Sequence, residues 1–300
     1  MSENVLVELS EAMAAAAERA GKSTLTVNAR RRMPASGIVY AAGQVLTADH
    51  VVEREDDIRL NLPDGSEVPA SLAGRDPGSD LALLKFDHPG VPAAEAARDP
   101  ARVGQLALVI GRPSAEGIEA SLGVVSAIGG PVRTGRGAML ERYIRTDTIS
   151  YPGFSGGPLV DAAGRVLGVN TSGLARGLPL TIPVDLAWRV AEALATHGHV
   201  KYGYLGIRSQ PVEVPAAAQK ALKRQQATGL LIVGVEDDSP AAKGDLMVGD
   251  ILVGMGGSPV SDPDELFQHL GGEMVGKSVR LEIVRGGQVK VLDVTVGERS

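Results

Sequence analysis

A serine set among glycines, in the stretch Gly153–Pro158 (GFSGGP), is the first feature of this chain that could do chemistry. Glycines on both sides of one hydroxyl let the backbone turn tightly and bring its N–H groups together. Such a turn suits a serine nucleophile, because acyl transfer needs hydrogen-bond donors aimed at the developing oxyanion. Glycine-rich turns between strands are also common in proteins without such a site. Ser155 is therefore a candidate nucleophile if the chain also supplies a base and a carboxylate.

His50 is the histidine best placed to be that base. It follows the apolar stretch Gln44–Thr47, and a strand there would hold the ring in position while leaving it open to a cleft. The other four histidines lie in a predicted turn, beyond a predicted helix or in a late helix: His88, His197, His199 and His269. His197 and His199 resemble a two-ligand metal pair, but no third ligand completes it. A core or surface role is the alternative for His50.

Asp80 is the best candidate for the carboxylate that fixes the tautomer of a catalytic histidine. It directly precedes the apolar run Leu81–Leu84. A carboxylate at the mouth of a buried strand is partly desolvated and therefore needs a partner. Asp76, in a predicted turn, is the nearest rival. Asp49 adjoins His50 and is expected to point elsewhere.

The composition describes an ordinary globular protein. A length of 300 residues suggests about two domains. The net charge of −6, without any block of like charges, argues against a nucleic-acid surface. The absence of cysteine excludes disulfides, thiolate catalysis and cysteine-based zinc sites. We expect neither a metal nor a cofactor.

The beginning of the chain does not look like a secretory signal. Glu3, Glu8 and Glu11 stand where a basic region is expected, and the run Ala12–Ala17 is short for an apolar segment. No stretch approaches the ~18 apolar residues of a transmembrane helix. We expect a cytoplasmic protein if the sequence is complete, and a periplasmic or secreted one if a leader is missing.

Short apolar runs separated by turns dominate the first two thirds of the chain and predict an all-β sandwich or barrel. The first set of predicted strands is Leu25–Val27, Ser36–Tyr40, Gln44–Thr47, Asp57–Asn61, Glu67–Gly74, Asp80–Phe86 and Leu106–Gly111. The second set is Glu119–Ile128, Tyr143–Thr146, Pro158–Val160, Val166–Thr171 and Leu180–Pro183. Two such sets in succession predict two barrels packed together.

Helices are predicted at both ends of this region. Residues 3–20 place Val5, Leu6, Leu9 and Met13 on one helical face, which either packs on its own domain or contacts a neighbouring subunit. A second helix over Asp185–Thr196, with Asp185 as its cap, closes the domain.

The last third has a different organisation. Its predicted strands are Leu230–Val235, Asp250–Met255, Val279–Arg285 and Val289–Val296. They enclose a helix that begins with Asp262 as N-cap and Pro263 at the first helical position and runs to about Leu270. This pattern predicts a compact domain of small strands with one or two helices.

The order His50, Asp80, Ser155 is that of chymotrypsin-type proteases, in which two β-barrels bring the three residues together. The segments VLTADHVV, DPGSDLALLKF and GFSGGPLVDAAGRVLGVNT resemble those of HtrA-type serine proteases in sequence and order. The segments YGYLGI, SPAAKGDLMVGDILVGMGGSPV and DPDELFQHL resemble a PDZ domain. The resemblance implies a mainly β protein with two six-stranded barrels of the chymotrypsin fold, followed by a small α+β PDZ domain. The implied domains are an N-terminal helix or arm (1–23), a protease domain (24–196), a linker (197–203) and the PDZ domain (204–300).

The resemblance also implies residue roles in the protease domain. Ser155 would be the nucleophile, His50 the general base and then acid, and Asp80 the orienting carboxylate. The N–H groups of Gly153 and Ser155 would form the oxyanion hole. The substrate pocket is expected near 148–151 and 172–181, which contain no acidic residue. We therefore expect a small or medium apolar residue before the scissile bond.

In the PDZ domain, a partner's C-terminal residues would add a strand beside Ile207–Gln210, along the helix Pro263–Leu270. The backbone of the Tyr204–Ile207 loop would hold the carboxylate. The implied peptide-binding residues are Tyr204, Leu205, Gly206, Ile207, Leu266 and Leu270. The four apolar residues among them are equally consistent with the core of the domain.

Two departures from the family pattern lie beside the catalytic residues. Phe154 stands where the family usually has asparagine, and its ring would either pack on the barrel or lie over the cleft. Ala48 and Asp49 replace the family's Asn-Ala before the histidine. Family members are commonly trimers held by aromatic residues near the N-terminus, but no aromatic residue precedes Tyr40 here. The oligomeric state is therefore left open.

The leading functional hypothesis is a serine endopeptidase of protein quality control. It would cleave unfolded or exposed polypeptides without ATP and be regulated by C-terminal peptides bound to its PDZ domain. The alternative is a latent or inactive protease scaffold that acts as a peptide-binding protein or holdase. A β-protein without any site is the third possibility.

Overall fold

The computed structural model describes residues 4–88, 90–135, 139–175, 178–222 and 224–298. The chain forms two compact units, Met1–Val200 and Lys201–Ser300. The predicted fold class is confirmed, because the structure is mainly β and its first unit contains two closed six-stranded barrels. Among the described residues, no helix has both the length and the apolar content needed to cross a membrane.

The first barrel closes in the order β1-β2-β3-β6-β5-β4. Its strands are β1 (Thr24–Asn28), β2 (Ala35–Ala41), β3 (Gln44–Ala48), β4 (Ile58–Asn61), β5 (Glu67–Asp76) and β6 (Leu81–Phe86). Valine, leucine and isoleucine side chains fill its interior. A hairpin turn at Asp64 and Gly65 joins β4 to β5, with Gly65 in the left-handed region at φ 87°.

The second barrel closes in the order β11-β14-β13-β12-β7-β8. The strands of this region are β7 (Leu106–Ser114), β8 (Gly117–Gly129), β9 (Val132–Arg133), β10 (Met139–Leu140), β11 (Tyr143–Thr146), β12 (Pro158–Val160), β13 (Val166–Ala175) and β14 (Leu178–Pro183). The pair β9 and β10 forms a separate short ribbon that the sequence did not predict. Strands of two residues carry too little alternation to be recognised.

Helix α1 (Val5–Gly21) packs on the barrels through its second half, where Met13, Ala16 and Ala20 are buried. In its first half Val5 and Leu6 are exposed. Glu3, at the predicted start of this helix, lies outside the described residues. The last turn is held by the buried Arg112, which donates from Nη2 to Gly21 O at 3.0 Å.

Helix α2 (Val184–His197) begins earlier than predicted, and Asp185 is not its cap. Pro183 occupies the N-cap position, and the Asp185 carboxylate pairs instead with Arg142. An acidic residue in the first turn of a helix is stabilised by the helix dipole even when it does not cap the helix. The sequence pattern therefore predicted Asp185 as the cap, although it lies in the first turn. Gly198 ends the helix in the left-handed conformation at φ 78°.

The second unit is a sheet in the order β16-β17-β18-β20-β21, with a separate pair β15 and β22. Its strands are β15 (Gly203–Tyr204), β16 (Ile207–Glu213), β17 (Thr228–Val235), β18 (Ile251–Met255), β19 (Ser258–Pro259), β20 (Ser278–Arg285), β21 (Gln288–Thr295) and β22 (Gly297–Glu298). Its helices are α3 (Ala216–Ala221), α4 (Pro240–Lys243) and α5 (Pro263–Gln268). The Asp262 side chain caps α5 by accepting from Glu265 N at 2.8 Å, as predicted.

Phe154 belongs to the core of the second barrel. Its side chain is fully buried in a cluster with Val109, Ile144 and Leu159. The fit is close, since a Cβ added at Gly111 would lie 2.4 Å from the Phe154 ring. Of the two interpretations that the sequence left open, the ring packs on the barrel and does not cover a cleft.

We expect Phe154→Ala to lower the free energy of unfolding of the first unit by about 3–5 kcal/mol, because it leaves a cavity in the second barrel. Trp188 is the only tryptophan and packs edge-on against Tyr40 at 5.3 Å, so its fluorescence follows unfolding of this unit by denaturant. Phe154→Leu keeps most of the volume and should cost about 1 kcal/mol. A loss below ~1 kcal/mol for Phe154→Ala would contradict the core position of the ring.

Candidate active site

Strand pairing brings His50 and Asp80 together. β3 and β6 are antiparallel neighbours with Ala48 opposite Leu81, so the residues after β3 lie beside the residue before β6. His50 Nδ1 lies 2.8 Å from Asp80 Oδ2, and the backbone N–H of His50 donates to Asp80 Oδ1 at 2.9 Å. Both oxygens of a carboxylate that is 1 % exposed are thus used to hold the imidazole.

The second barrel completes the surroundings of this pair. The Thr171 hydroxyl donates to Asp80 Oδ2. A Cβ added at Gly173 would lie 2.4 Å from Asp80 Oδ2 and 2.7 Å from His50 Nδ1, so β13 closes over the pair only because residue 173 is glycine. Asp80 itself is left-handed at φ 56°, a conformation that aspartate tolerates better than most residues. β6 therefore starts at Leu81, one residue later than predicted.

Asp49 and Asp76 are engaged elsewhere. Asp49 is fully buried, and its Oδ1 pairs with Arg75 Nε at 2.6 Å. Partial burial acts to lower the pKa of Arg75, but the hydrogen bonds and charges of Asp49 and then Glu55 outweigh it and raise that pKa above its ordinary value. Asp76 accepts hydrogen bonds from backbone N–H groups of its own turn. Asp49, which stands where the family usually has alanine, is therefore charge-paired with Arg75 beside the site.

Ser155 lies next to the pair but is not directly bonded to it. β12 and β13 are antiparallel neighbours, which places the residues before Pro158 beside those after Val169. Ser155 Oγ lies 3.2 Å from Ser172 Oγ, and Ser172 Oγ lies 3.5 Å from His50 Nε2. Within the described part of the chain, Ser155 and His50 share no direct hydrogen bond. Such contacts are often loose in unliganded enzymes and tighten with substrate.

A tight turn immediately precedes Ser155. Phe154 N donates to Tyr151 O at 3.1 Å, with Pro152 second and Gly153 third at φ 89°, the features of a type II turn. A Cβ at Gly153 would lie 2.6 Å from Pro113 Cβ. The N–H groups of Gly153 and Ser155 make no hydrogen bond to any described residue. They are therefore available as the two donors that an oxyanion needs.

Ser36, which the sequence did not single out, holds this turn in place. Its buried hydroxyl donates to Gly153 O at 2.7 Å and accepts from Arg112 N at 2.8 Å. Its backbone N–H donates to Ser155 O at 3.1 Å. Because Ser36 lies in β2 of the first barrel, no local pattern around Ser155 could have revealed it.

A cavity of about 350 Å³ opens at these residues. It is lined by Arg30, Arg32, Met33, His50, Ser150, Tyr151, Pro152, Gly153, Ser155, Asn170, Thr171, Ser172 and Pro179. The predicted pocket segments contribute 150–151, 172 and 179, while Arg176 and Gly177 lie outside the described residues. The arginines were not predicted. No carboxylate lines the cavity among the described residues.

The residues predicted to bind peptide lie together in the second unit. Leu205, Leu266 and Leu270 are buried in one core cluster, with Ile207 packed against it. Gly206 is left-handed at φ 79°. The N–H groups of Leu205 and Gly206 bond to no residue that the structure describes.

Three further features surround these residues. The Tyr204 hydroxyl donates to the Glu236 carboxylate. β16 is an edge strand of the sheet, and α5 packs beside it.

The described residues contain no cluster of three or more histidine, aspartate or glutamate side chains arranged to hold a metal ion. His199 Nδ1 lies 3.0 Å from the backbone oxygen of His197, which accounts for one of the two histidines that resembled a metal pair.

Two family models match the chain. A trypsin-like peptidase domain covers residues 35–169, and a PDZ domain covers residues 203–296. The solved structure described as HtrA-type protease AlgW with decapeptide has a TM-score of 0.81 and 31% identity over 96% of this chain and 99% of that one. The serine endoprotease from Yersinia pestis has a TM-score of 0.79 and 28% identity, with 96% and 98% covered.

Curated relatives are longer. A probable periplasmic serine endoprotease DegP-like of Pseudomonas fluorescens is 37% identical over 269 residues, which are 87% of this chain and 55% of that protein. A protein of the same description from Halomonas elongata is 34% identical over 275 residues, with 90% and 57% covered. The chain thus spans about half the length of these relatives. With two barrels, a trypsin-like peptidase model and a PDZ model in this order, the chain belongs to the HtrA-type serine protease family.

Proposed function

We propose that this chain is a serine endopeptidase that cleaves polypeptides through an acyl-enzyme. The observation that carries the proposal is the enclosed His50–Asp80 pair, with its 2.8 Å bond, beside a turn that leaves the N–H groups of Gly153 and Ser155 free. Ser155 Oγ attacks the carbonyl carbon of the scissile bond while His50 Nε2 takes its proton. Asp80 keeps the Nδ1 proton of His50 in place and stabilises the imidazolium.

His50 then gives that proton to the amine nitrogen as the C–N bond breaks, which leaves the acyl-enzyme. In the second half of the reaction His50 takes a proton from a water molecule, whose oxygen attacks the acyl carbon, and returns the proton to Ser155 Oγ as the ester bond breaks. The donors at Gly153 and Ser155 stabilise the oxyanion formed in each half. For the attack, the Ser155 hydroxyl, which lies 3.2 Å from Ser172 Oγ, must donate to His50 Nε2 instead.

The position of Phe154 favours the active enzyme over the blocked scaffold. A ring over the cleft would exclude substrate, whereas the buried ring anchors the end of the turn that carries Gly153. An inactive holdase is the second candidate function, motivated by the Ser155 hydroxyl, which lies 3.2 Å from Ser172 Oγ and makes no hydrogen bond to His50 among the described residues.

The proposed substrates are unfolded or exposed polypeptides with a small or medium apolar residue before the scissile bond. The absence of a carboxylate among the described lining residues supports this, because a basic side chain would find no partner there. The longer relatives are named periplasmic, and we place the activity of this chain in the periplasm on that ground.

The second unit is proposed to bind C-terminal peptides as an added strand. The edge strand β16 offers the free side of a sheet, and the N–H groups of Leu205 and Gly206 are available for a terminal carboxylate. Structures of the neighbour AlgW are described with a decapeptide and with a tripeptide. Peptide binding would regulate the peptidase. The proposed domains are an N-terminal helix or arm (1–23), the protease domain (24–196), a linker (197–203) and the PDZ domain (204–300).

Replacing the nucleophile should abolish activity. We expect Ser155→Ala or His50→Ala to lower kcat by about 10⁶-fold, since the three residues act as a unit. The measurement is cleavage of a quenched peptide together with labelling by a fluorophosphonate, each with and without a hydrophobic C-terminal peptide. Ser126→Ala, an exposed serine of β8, is the matched control and should label like the parent. Labelling that survives Ser155→Ala would falsify the assignment.

The positive φ of Gly153 gives a separate prediction. Gly153→Ala should lower kcat by about 10²–10³-fold with little change in KM, because the turn would lose one oxyanion donor. Gly104→Ala is the matched control, since Gly104 has nearly the same φ of 85° but open space around an added Cβ. Equal effects of the two substitutions on kcat would show that backbone strain alone explains the loss.

Peptide binding is tested on the full chain carrying Ser155→Ala. A peptide with a free C-terminal carboxylate should bind at least about tenfold more tightly than its amide, because charge-assisted bonds to backbone N–H groups are lost. Fluorescence anisotropy measures both affinities. Gly206→Ala should weaken binding, since its Cβ would lie 2.3 Å from Ser239 Cβ, whereas Gly286→Ala meets no atom within 4 Å. Equal affinity for acid and amide would refute a carboxylate site.

A further inference from the structure

Two arginines share the cavity of the proposed nucleophile. The loop between β1 and β2 carries Arg30, Arg31 and Arg32, of which Arg30 and Arg32 line the cavity together with His50 and Ser155. Neither the proposed catalytic steps nor the apolar preference before the scissile bond uses them.

Arg30 is held in place with part of its guanidinium unused. Its Nε donates to Met33 O at 2.6 Å and its Nη2 to Pro34 O at 3.4 Å. No described residue accepts from its Nη1. Both acceptors are uncharged carbonyls, so these two bonds orient the side chain without neutralising its charge.

Arg32 has only a weak partner. Its Nη2 and Nε lie 3.0 and 3.1 Å from Glu53 Oε1, but the two side chains are 71% and 40% exposed. A pair this exposed contributes little and exchanges readily. Burial, and then the charge of Arg32, lower the pKa of Arg30 below its ordinary value, and the charge of Glu53 offsets this only in part. An anion bound between the two guanidinium groups would relieve that repulsion.

The position of the loop indicates which part of a substrate it meets. Tyr151, Ser172 and Pro179, which line the cavity within the segments expected to receive the residue before the scissile bond, belong to the second barrel. The arginine loop belongs to the first barrel, as does His50. Since His50 delivers its proton to the leaving amine, the leaving portion of the substrate lies on the first-barrel side of the cavity.

We propose that Arg30 and Arg32 form a subsite for an acidic side chain among the first three residues after the scissile bond. The inference rests on the proposed peptidase activity and names its substrate class more closely: polypeptides with an apolar residue before the bond and aspartate or glutamate after it. The guanidinium groups bind the carboxylate by charge-assisted hydrogen bonds.

The test compares kcat/KM for quenched peptides that differ only by Glu or Gln at each of the three positions after the bond. A second series places the same pair before it. The parent should cleave the Glu peptides about tenfold faster, the size of one charge-assisted hydrogen bond. The preference should shrink as salt is raised towards ~1 M, because these charges are partly exposed.

Arg32→Gln and Arg30→Gln should each reduce this Glu/Gln ratio, and the double variant should bring it to about one. The Arg32→Glu variant should cleave a peptide with Lys at the same position faster than one with Gln. A loop that the substitution only displaced would not produce this reversed preference. Arg31→Gln is the matched control, because Arg31 is exposed, carries the same charge and does not line the cavity.

An unchanged ratio in the double variant, or a preference for Glu only before the bond, overturns the subsite. Cleavage of the Gln peptides distinguishes a failure of the proposed subsite from a failure of the proposed peptidase activity. If they are cleaved without any preference for Glu, the subsite fails and the peptidase stands. If no peptide is cleaved and Ser155 takes no fluorophosphonate, the peptidase itself fails.

Discussion

The buried Asp80 carboxylate is the constraint on which the site depends. An unpaired charge at such a position would cost several kcal/mol, so each oxygen must find a donor. The first barrel supplies the His50 ring and backbone N–H, and the second barrel supplies the Thr171 hydroxyl. Because the Asp80 carboxylate accepts hydrogen bonds from both barrels, these bonds also fix the His50 ring and hold β13 against the His50–Asp80 pair. At this contact only glycine fits at position 173.

A second set of contacts fixes the turn before Ser155. Ser36 binds Gly153 O and Ser155 O from the first barrel, and Phe154 anchors the same turn in the core of the second barrel. Ser36 also accepts from the backbone of Arg112, whose side chain holds the end of α1. The conformation of the turn is thus set by buried contacts on both sides. In this account the resting chain already presents its oxyanion donors.

The sequence predicted those parts of the molecule whose signal is local. Short apolar runs separated by turns predicted both barrels, although Leu106–Gly111 was grouped with the first set and lies in the second barrel. The position of His50 after one such run and of Asp80 before another made them the candidate base and carboxylate. Ser36, Arg30 and Arg32 could not be predicted in the same way, because their contacts join segments more than a hundred residues apart or depend on how a loop enters the cavity. Asp185 was wrongly predicted as a cap because its partner, Arg142, lies outside the helix, in the connection between β10 and β11. Phe154 could be placed only by seeing the space beside Gly111 that accepts its ring.

We infer that the turn at Gly153 is competent for catalysis before substrate arrives. Crystal structures of the free chain and of its adduct with a peptide boronic acid on Ser155 test this most directly. We expect a Gly153 φ near the present 89° in both structures, with a boronate oxygen about 2.7–3.1 Å from the nitrogens of Gly153 and Ser155. A negative Gly153 φ in the free chain, or a Phe154 ring outside the barrel core, would contradict it.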